Sequence, residues 1–119
     1  MRTWHDKLVR DRIPQIIASD GAHFALEIYN EESYRAALLA KLVEEAREAA
    51  SAPPQDLIKE LADLFEVIDA ALEAHAISRS AVLAAQARRR AERGGFTRRL
   101  RLMWTERKAP PRDGDCAPG

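Results

Sequence analysis

Two pairs of acids carry the chemistry this sequence offers. Glu45 and Glu48 stand three residues apart, and so do Glu60 and Asp63. On a helix, residues at i and i+3 face the same way, with Cβ atoms roughly 5–6 Å apart. Between the pairs lies Ala49-Ala50-Ser51-Ala52-Pro53-Pro54-Gln55, whose prolines read as a turn between two helices. Two such pairs on antiparallel helices converge four carboxylates on one point. Four close anions repel one another unless a cation lies among them, and Mg²⁺ is a hard cation suited to carboxylate oxygens.

The helical period locates the first pair. Between Asn30 and Ala50, Tyr34, Ala37, Leu38, Leu42 and Ala49 form an apolar stripe of 3.6-residue period. At about 100° per residue, Glu45 falls inside that stripe, Glu48 on its edge and Glu44 outside it. An acid within an apolar face has to be paired, protonated or bound to metal. On the following helix Leu57, Ile58, Leu61, Leu64, Phe65, Ile68 and Leu72 give the expected inner face, with Glu60 and Asp63 on its flank. On spacing alone the four acids read equally as a metal site and as solvated or lysine-paired charges. Glu66, Asp69 and Glu73 are acids of the ordinary solvated kind.

Three blocks in order extend the pattern. Glu44-Glu45-x-x-Glu48 followed by Glu60-x-x-Asp63 resembles the EExxE…ExxD signature of the all-α nucleoside triphosphate pyrophosphohydrolases, the MazG-like superfamily. Lys7-Leu8-Val9-Arg10-Asp11-Arg12-Ile13-Pro14 is similar to the KLVRDKIP opening of one branch, and Arg93-Gly94-Gly95-Phe96 to that branch's RGGF segment. The blocks span most of residues 5–102. The eleven residues between Glu48 and Glu60 are at the short end of the family range, and Arg89 stands where the branch often has lysine. The resemblance implies cleavage of a nucleoside triphosphate between the α and β phosphates, releasing a monophosphate and pyrophosphate. It implies Mg²⁺, with Mn²⁺ as a substitute, held by Glu45, Glu48, Glu60 and Asp63. It implies Glu44 or Glu48 as the acceptor of the attacking water's proton. Lys7, Arg10, Arg89 and Arg93 are then the phosphate-binding cations. Phosphoribosyl-ATP pyrophosphohydrolase uses the same metal scaffold and stays open as an alternative. A non-catalytic helical interaction or regulatory module is the alternative outside enzymes, against which the intact set of acids argues.

Composition sets the frame. With 119 residues the expectation is one domain, residues 1–104, and a disordered tail, residues 105–119, rich in Pro, Gly and charge. No apolar run approaches membrane-spanning length, and no signal peptide is apparent. The single Cys116 cannot form an internal disulfide, which fits a cytoplasmic protein. The formal charge is zero, but residues 1–75 carry 8 Lys/Arg against 15 Asp/Glu, a net −7, and residues 76–119 carry 11 against 4, a net +7. An acidic metal centre with basic arms suits a polyanionic nucleotide. Complementary halves attracting one another is the blander account. Nucleic-acid binding ranks below both, because no aromatic residues interleave with the arginines.

The elements follow from the punctuation. Pro14 suits the first turn of a short helix through Ser19, which Asp20-Gly21 ends. Phe24, Leu26 and Ile28 alternate, as do Phe96, Leu100, Leu102 and Trp104 among charges, so a small two-stranded β-ribbon is expected. Asn30 caps the next helix, a second runs from about Pro54 to His75, and Ser78 caps a third that Gly94-Gly95 ends. Arg89 and Arg93 share a face of that third helix, at i and i+4, near the end where the helix dipole favours cations. The expected fold is mainly α. It is an antiparallel helical bundle completed by oligomerisation, as a homodimer or dimer of dimers, because the apolar stripes outnumber their partners in one chain. There is no P-loop, no zinc-ligand spacing among His5, His23 and His75, and no nucleophile elbow.

Overall fold

The computed structural model describes residues 1–108. They form a mainly helical chain: α1 (Ile13–Ser19), α2 (Glu31–Ser51), a 3₁₀ turn (Pro54–Asp56), α3 (Leu57–Ala74) and α4 (Arg79–Arg93). The described residues include no strand, and the two alternating segments, residues 23–29 and 96–104, carry no ladder. Most of the expected tail, residues 109–119, lies outside the described residues.

Local chemistry explains each boundary. The Asn30 side chain accepts a hydrogen bond from the Ser33 N–H at 2.8 Å, and the Ser78 hydroxyl accepts one from Ala81 N–H at 3.2 Å, so both helices start on side-chain caps. Helix α1 begins with proline in its first turn and stops at Gly21, whose φ of +80° lies in the left-handed region. Gly94, at φ +83°, ends α4 while its N–H donates to Arg90 O at 2.7 Å. Helix α3 ends in a Schellman arrangement: Ile77 N–H donates to Leu72 O at 2.9 Å and Ala76 N–H to Glu73 O at 3.1 Å. Ala76 then holds φ +54°, a conformation that glycine adopts at less cost.

Helices α2 and α3 pack as a hairpin and position everything that follows. Its apolar centre is thin: Leu38 and Val67, 3% and 8% exposed, are the buried apolar residues among those described. The side of α3 that meets α2 differs from the expected inner face. Val67 is buried and Glu60, Asp63, Leu64 and Ile68 are half-buried, whereas Leu57, Ile58, Leu61 and Phe65 are exposed. Periodicity fixes the angle between side chains but not which arc a neighbour covers, and α2 covers the arc that contains the acids. Helix α4 is joined to α3 by the ion pair of Arg79 Nη1 with Asp69 Oδ1 at 2.7 Å and has no buried residue of its own. The result is extended, 67 × 34 × 30 Å along its principal axes. No helix among the described residues is long and apolar enough to cross a membrane.

Candidate metal centre

The hairpin brings Glu45 of the first pair to both acids of the second, and leaves Glu48, expected as a fourth ligand, outside that group. One carboxylate oxygen from each of Glu45, Glu60 and Asp63 lies within 4.8 Å of the others, and a second group, Glu44, Glu45 and Glu48, meets the same limit on α2 alone. Glu45 belongs to both. It is 7% exposed, as expected of an acid inside the apolar stripe, and it is the one buried charged residue among those described. Glu44, Glu60 and Asp63 are half-buried and Glu48 is exposed.

Burial pushes the Glu45 carboxyl above the ordinary glutamate range, and the charges of Glu48, Asp63 and Glu44 add to the rise while Lys41 opposes it. The Oε2 atoms of Glu45 and Glu60 are buried without a hydrogen-bond partner. Two such oxygens leave a substantial desolvation penalty unmet. A divalent cation among Glu45, Glu60 and Asp63 would satisfy both, and the all-oxygen donor set is what Mg²⁺ or Mn²⁺ takes. The residues present therefore fit the implied metal.

The basic residues divide. From the irregular segment before α1, Lys7 Nζ reaches Glu44 Oε1 at 3.3 Å. Arg10 Nη1 reaches Asp63 Oδ1 at 2.9 Å, and Arg10 Nη2 reaches Glu66 Oε1 at 3.5 Å. The residue before Lys7, Asp6, has φ +43°, so the arm turns sharply where it meets α2. Arg10 and Asp63 also line an open groove with Ala62, Phe65, Glu66 and Asp69. Arg89 and Arg93 are exposed, at the far end of α4 from Arg79, and no ion pair among the described residues joins Arg89 to the acids.

Two participants were not singled out from the sequence. Glu66, read as a solvated acid, shares Arg10 with Asp63. Lys41 Nζ lies 3.2 Å from Glu44 Oε2 and 3.6 Å from Glu45 Oε1, with its side chain only 14% exposed. Its signal was present, since Lys41 precedes Glu44 and Glu45 by three and four residues and so shares their face. Partial burial pushes the Glu44 carboxyl up, but the hydrogen bonds from Lys41 and Lys7 outweigh it and hold the group below its ordinary range. Comparison of the chain with protein-family models, with curated proteins and with solved structures found no match.

Proposed function

We propose that the protein is a divalent-metal-dependent hydrolase that cleaves a nucleoside triphosphate between its α and β phosphates. The observation that carries this reading is the buried Glu45 meeting Glu60 and Asp63 with two carboxylate oxygens unpartnered. The motif order and the cations beside the acids support the same reading. When bound, Mg²⁺ supplies neutralisation of phosphate charge and acidification of the attacking water. Glu45, Glu60 and Asp63 would hold it, with the exposed Glu48 available beside Glu45.

The chain's own groups supply the rest. Glu48 is the better proton acceptor of the two candidates. Its carboxylate has no ion pair among the described residues, whereas both oxygens of Glu44 are taken by ammonium groups. Lys7 and Arg10 stand beside the acids and exchange their carboxylate partners for phosphate oxygens when a triphosphate enters. Arg89 and Arg93 join them in the assembled protein. In this reading the hairpin is the unit of a bundle completed by further copies of the chain, in which the segments around Leu26 and Leu100 pair as a ribbon. The protein then works on the cytoplasmic nucleotide pool.

The test is a panel of nucleoside triphosphates, with phosphoribosyl-ATP included, incubated with Mg²⁺ and analysed for products. Pyrophosphate and a monophosphate are expected, with no turnover in chelator. Orthophosphate and a diphosphate as first products would overturn the reading.

A further inference from the structure

The carboxylates form two overlapping groups that share Glu45, and the groups differ in what already fills them. The group confined to α2, Glu44, Glu45 and Glu48, contains the Lys41 ammonium, 3.2 Å from Glu44 and 3.6 Å from Glu45. Lys7 closes the other oxygen of Glu44 at 3.3 Å. The group that spans the hairpin, Glu45, Glu60 and Asp63, contains both unpartnered buried oxygens. Lys59 is 3.9 Å from the partnered oxygen of Glu60, and Arg10 approaches Asp63 from the exposed arm. Both groups thus have cations beside them, but the one that spans the hairpin keeps two buried oxygens that none of these cations reaches, whereas both oxygens of Glu44 in the other are taken.

We infer that Lys41 is the built-in cation of the acidic centre: its ammonium occupies the place of a second divalent ion, so the nucleotide-free protein holds one such ion, between Glu45, Glu60 and Asp63. The inference rests on the metal-binding reading above and goes beyond it by fixing the number of ions and naming the residue that sets it. An ammonium on a stem that is 14% exposed cannot move into water without uncovering apolar surface, so it does not yield its place as an exposed lysine would. A doubly charged ion beside it would meet direct repulsion as well as the loss of two carboxylate partners. Lys41 is therefore a positioning residue. It holds Glu44 and one oxygen of Glu45 away from the metal and leaves the other oxygen of Glu45 to face it.

The experiment counts ions rather than turnover. Mn²⁺ is titrated into the nucleotide-free protein, with stoichiometry read by calorimetry and spin coupling by electron paramagnetic resonance. Wild type is expected to bind one Mn²⁺ per chain with the spectrum of an isolated ion. Lys41→Gln should bind two, with the spectrum of a coupled pair, and Lys41→Arg should return to one. Two ions per chain in the wild type would overturn the inference, whether or not the variants fold. A count of one in a folded Lys41→Gln variant would also overturn it, while leaving the metal site itself intact. No Mn²⁺ bound by the wild type would remove the metal-binding reading and the inference together.

Discussion

Glu45 sets the behaviour of the centre at the scale of single residues. In the metal-free protein its carboxyl is raised, so the folded state holds its proton more tightly than the unfolded chain. That contribution to stability is fully present below the ordinary glutamate range and is lost as pH rises through the raised folded value. Glu45→Gln, which stays neutral, should therefore melt higher than wild type near neutral pH in chelator, and the difference should vanish in acid. With Mg²⁺ or Mn²⁺ the order should change, because wild type gains stability from an ion bound to the folded state alone and the variant loses most of that gain. An equal metal-induced shift in both would remove Glu45 from the site. Turnover separates the neighbouring acids. Glu48→Ala and Asp63→Ala should each lower the rate by at least about a hundredfold, the low end for a lost acid–base group, while remaining folded. Full activity in both would sink the assignment. The sequence made Glu45 legible because a 3.6-residue stripe has a centre and the acid stood in it. It did not make Lys41 legible in the same way, because a search for converging acids passes over the cation placed among them.

Elements were read most faithfully where a single residue starts or stops a helix by its own chemistry. Asn30, Ser78 and Gly94 act within four residues of themselves, so their neighbours in sequence are their neighbours in space. Asn30→Ala should cost about 1 kcal/mol through loss of the Ser33 N–H partner, seen as a fall in thermal midpoint of a few degrees. Ala76 offers the opposite change. At φ +54° its Cβ costs about 1–2 kcal/mol that glycine would not incur, offset in part by the greater freedom of glycine in the unfolded chain. Ala76→Gly should raise stability by about 0.5–1 kcal/mol in denaturant unfolding, and a fall would show that the turn holds no such strain. The face of α3 was harder to read because it depends on distant chain. Leu57, Ile58, Leu61 and Phe65 form the most apolar arc, yet α2 covers the arc of Glu60, Asp63 and Val67. Hydrophobic pattern alone cannot distinguish the contact made within one chain from the contact left for another.

At the scale of the whole molecule, the chain is extended and leaves apolar helix faces bare. Its radius of gyration is 20.7 Å, where a compact domain of this length has about 13–14 Å. Its accessible surface is 11373 Å², where a folded monomer of 13.3 kDa exposes roughly 6,500 Å². The difference, about 4,900 Å² on one chain, exceeds the roughly 1,000–2,500 Å² that each partner of an obligate pair buries, because the irregular segments flanking the helices are solvent-exposed as well. Ile58 and Phe65, 85% and 58% exposed, lie on the arc of α3 turned away from α2. Leu39 and Val43 of α2 and Val82 and Leu83 of α4 are also bare. An apolar arc of this size suits a bundle face, and in the assembly proposed above a second copy with the same helices would supply a complement of the same kind. Light scattering should accordingly give a multiple of 13.3 kDa at micromolar concentration. Ile58→Glu combined with Leu61→Glu places charges on that arc and leaves the groove that Phe65 lines with Arg10 and Asp63 unchanged. The double variant should fall to monomer mass and lose most of its cooperative melt, because Leu38 and Val67 alone make too small a core to hold the hairpin. A wild type that runs as a single chain and still melts cooperatively would overturn the assembly. A double variant that keeps the wild-type mass would instead move the interface to another face of the helices.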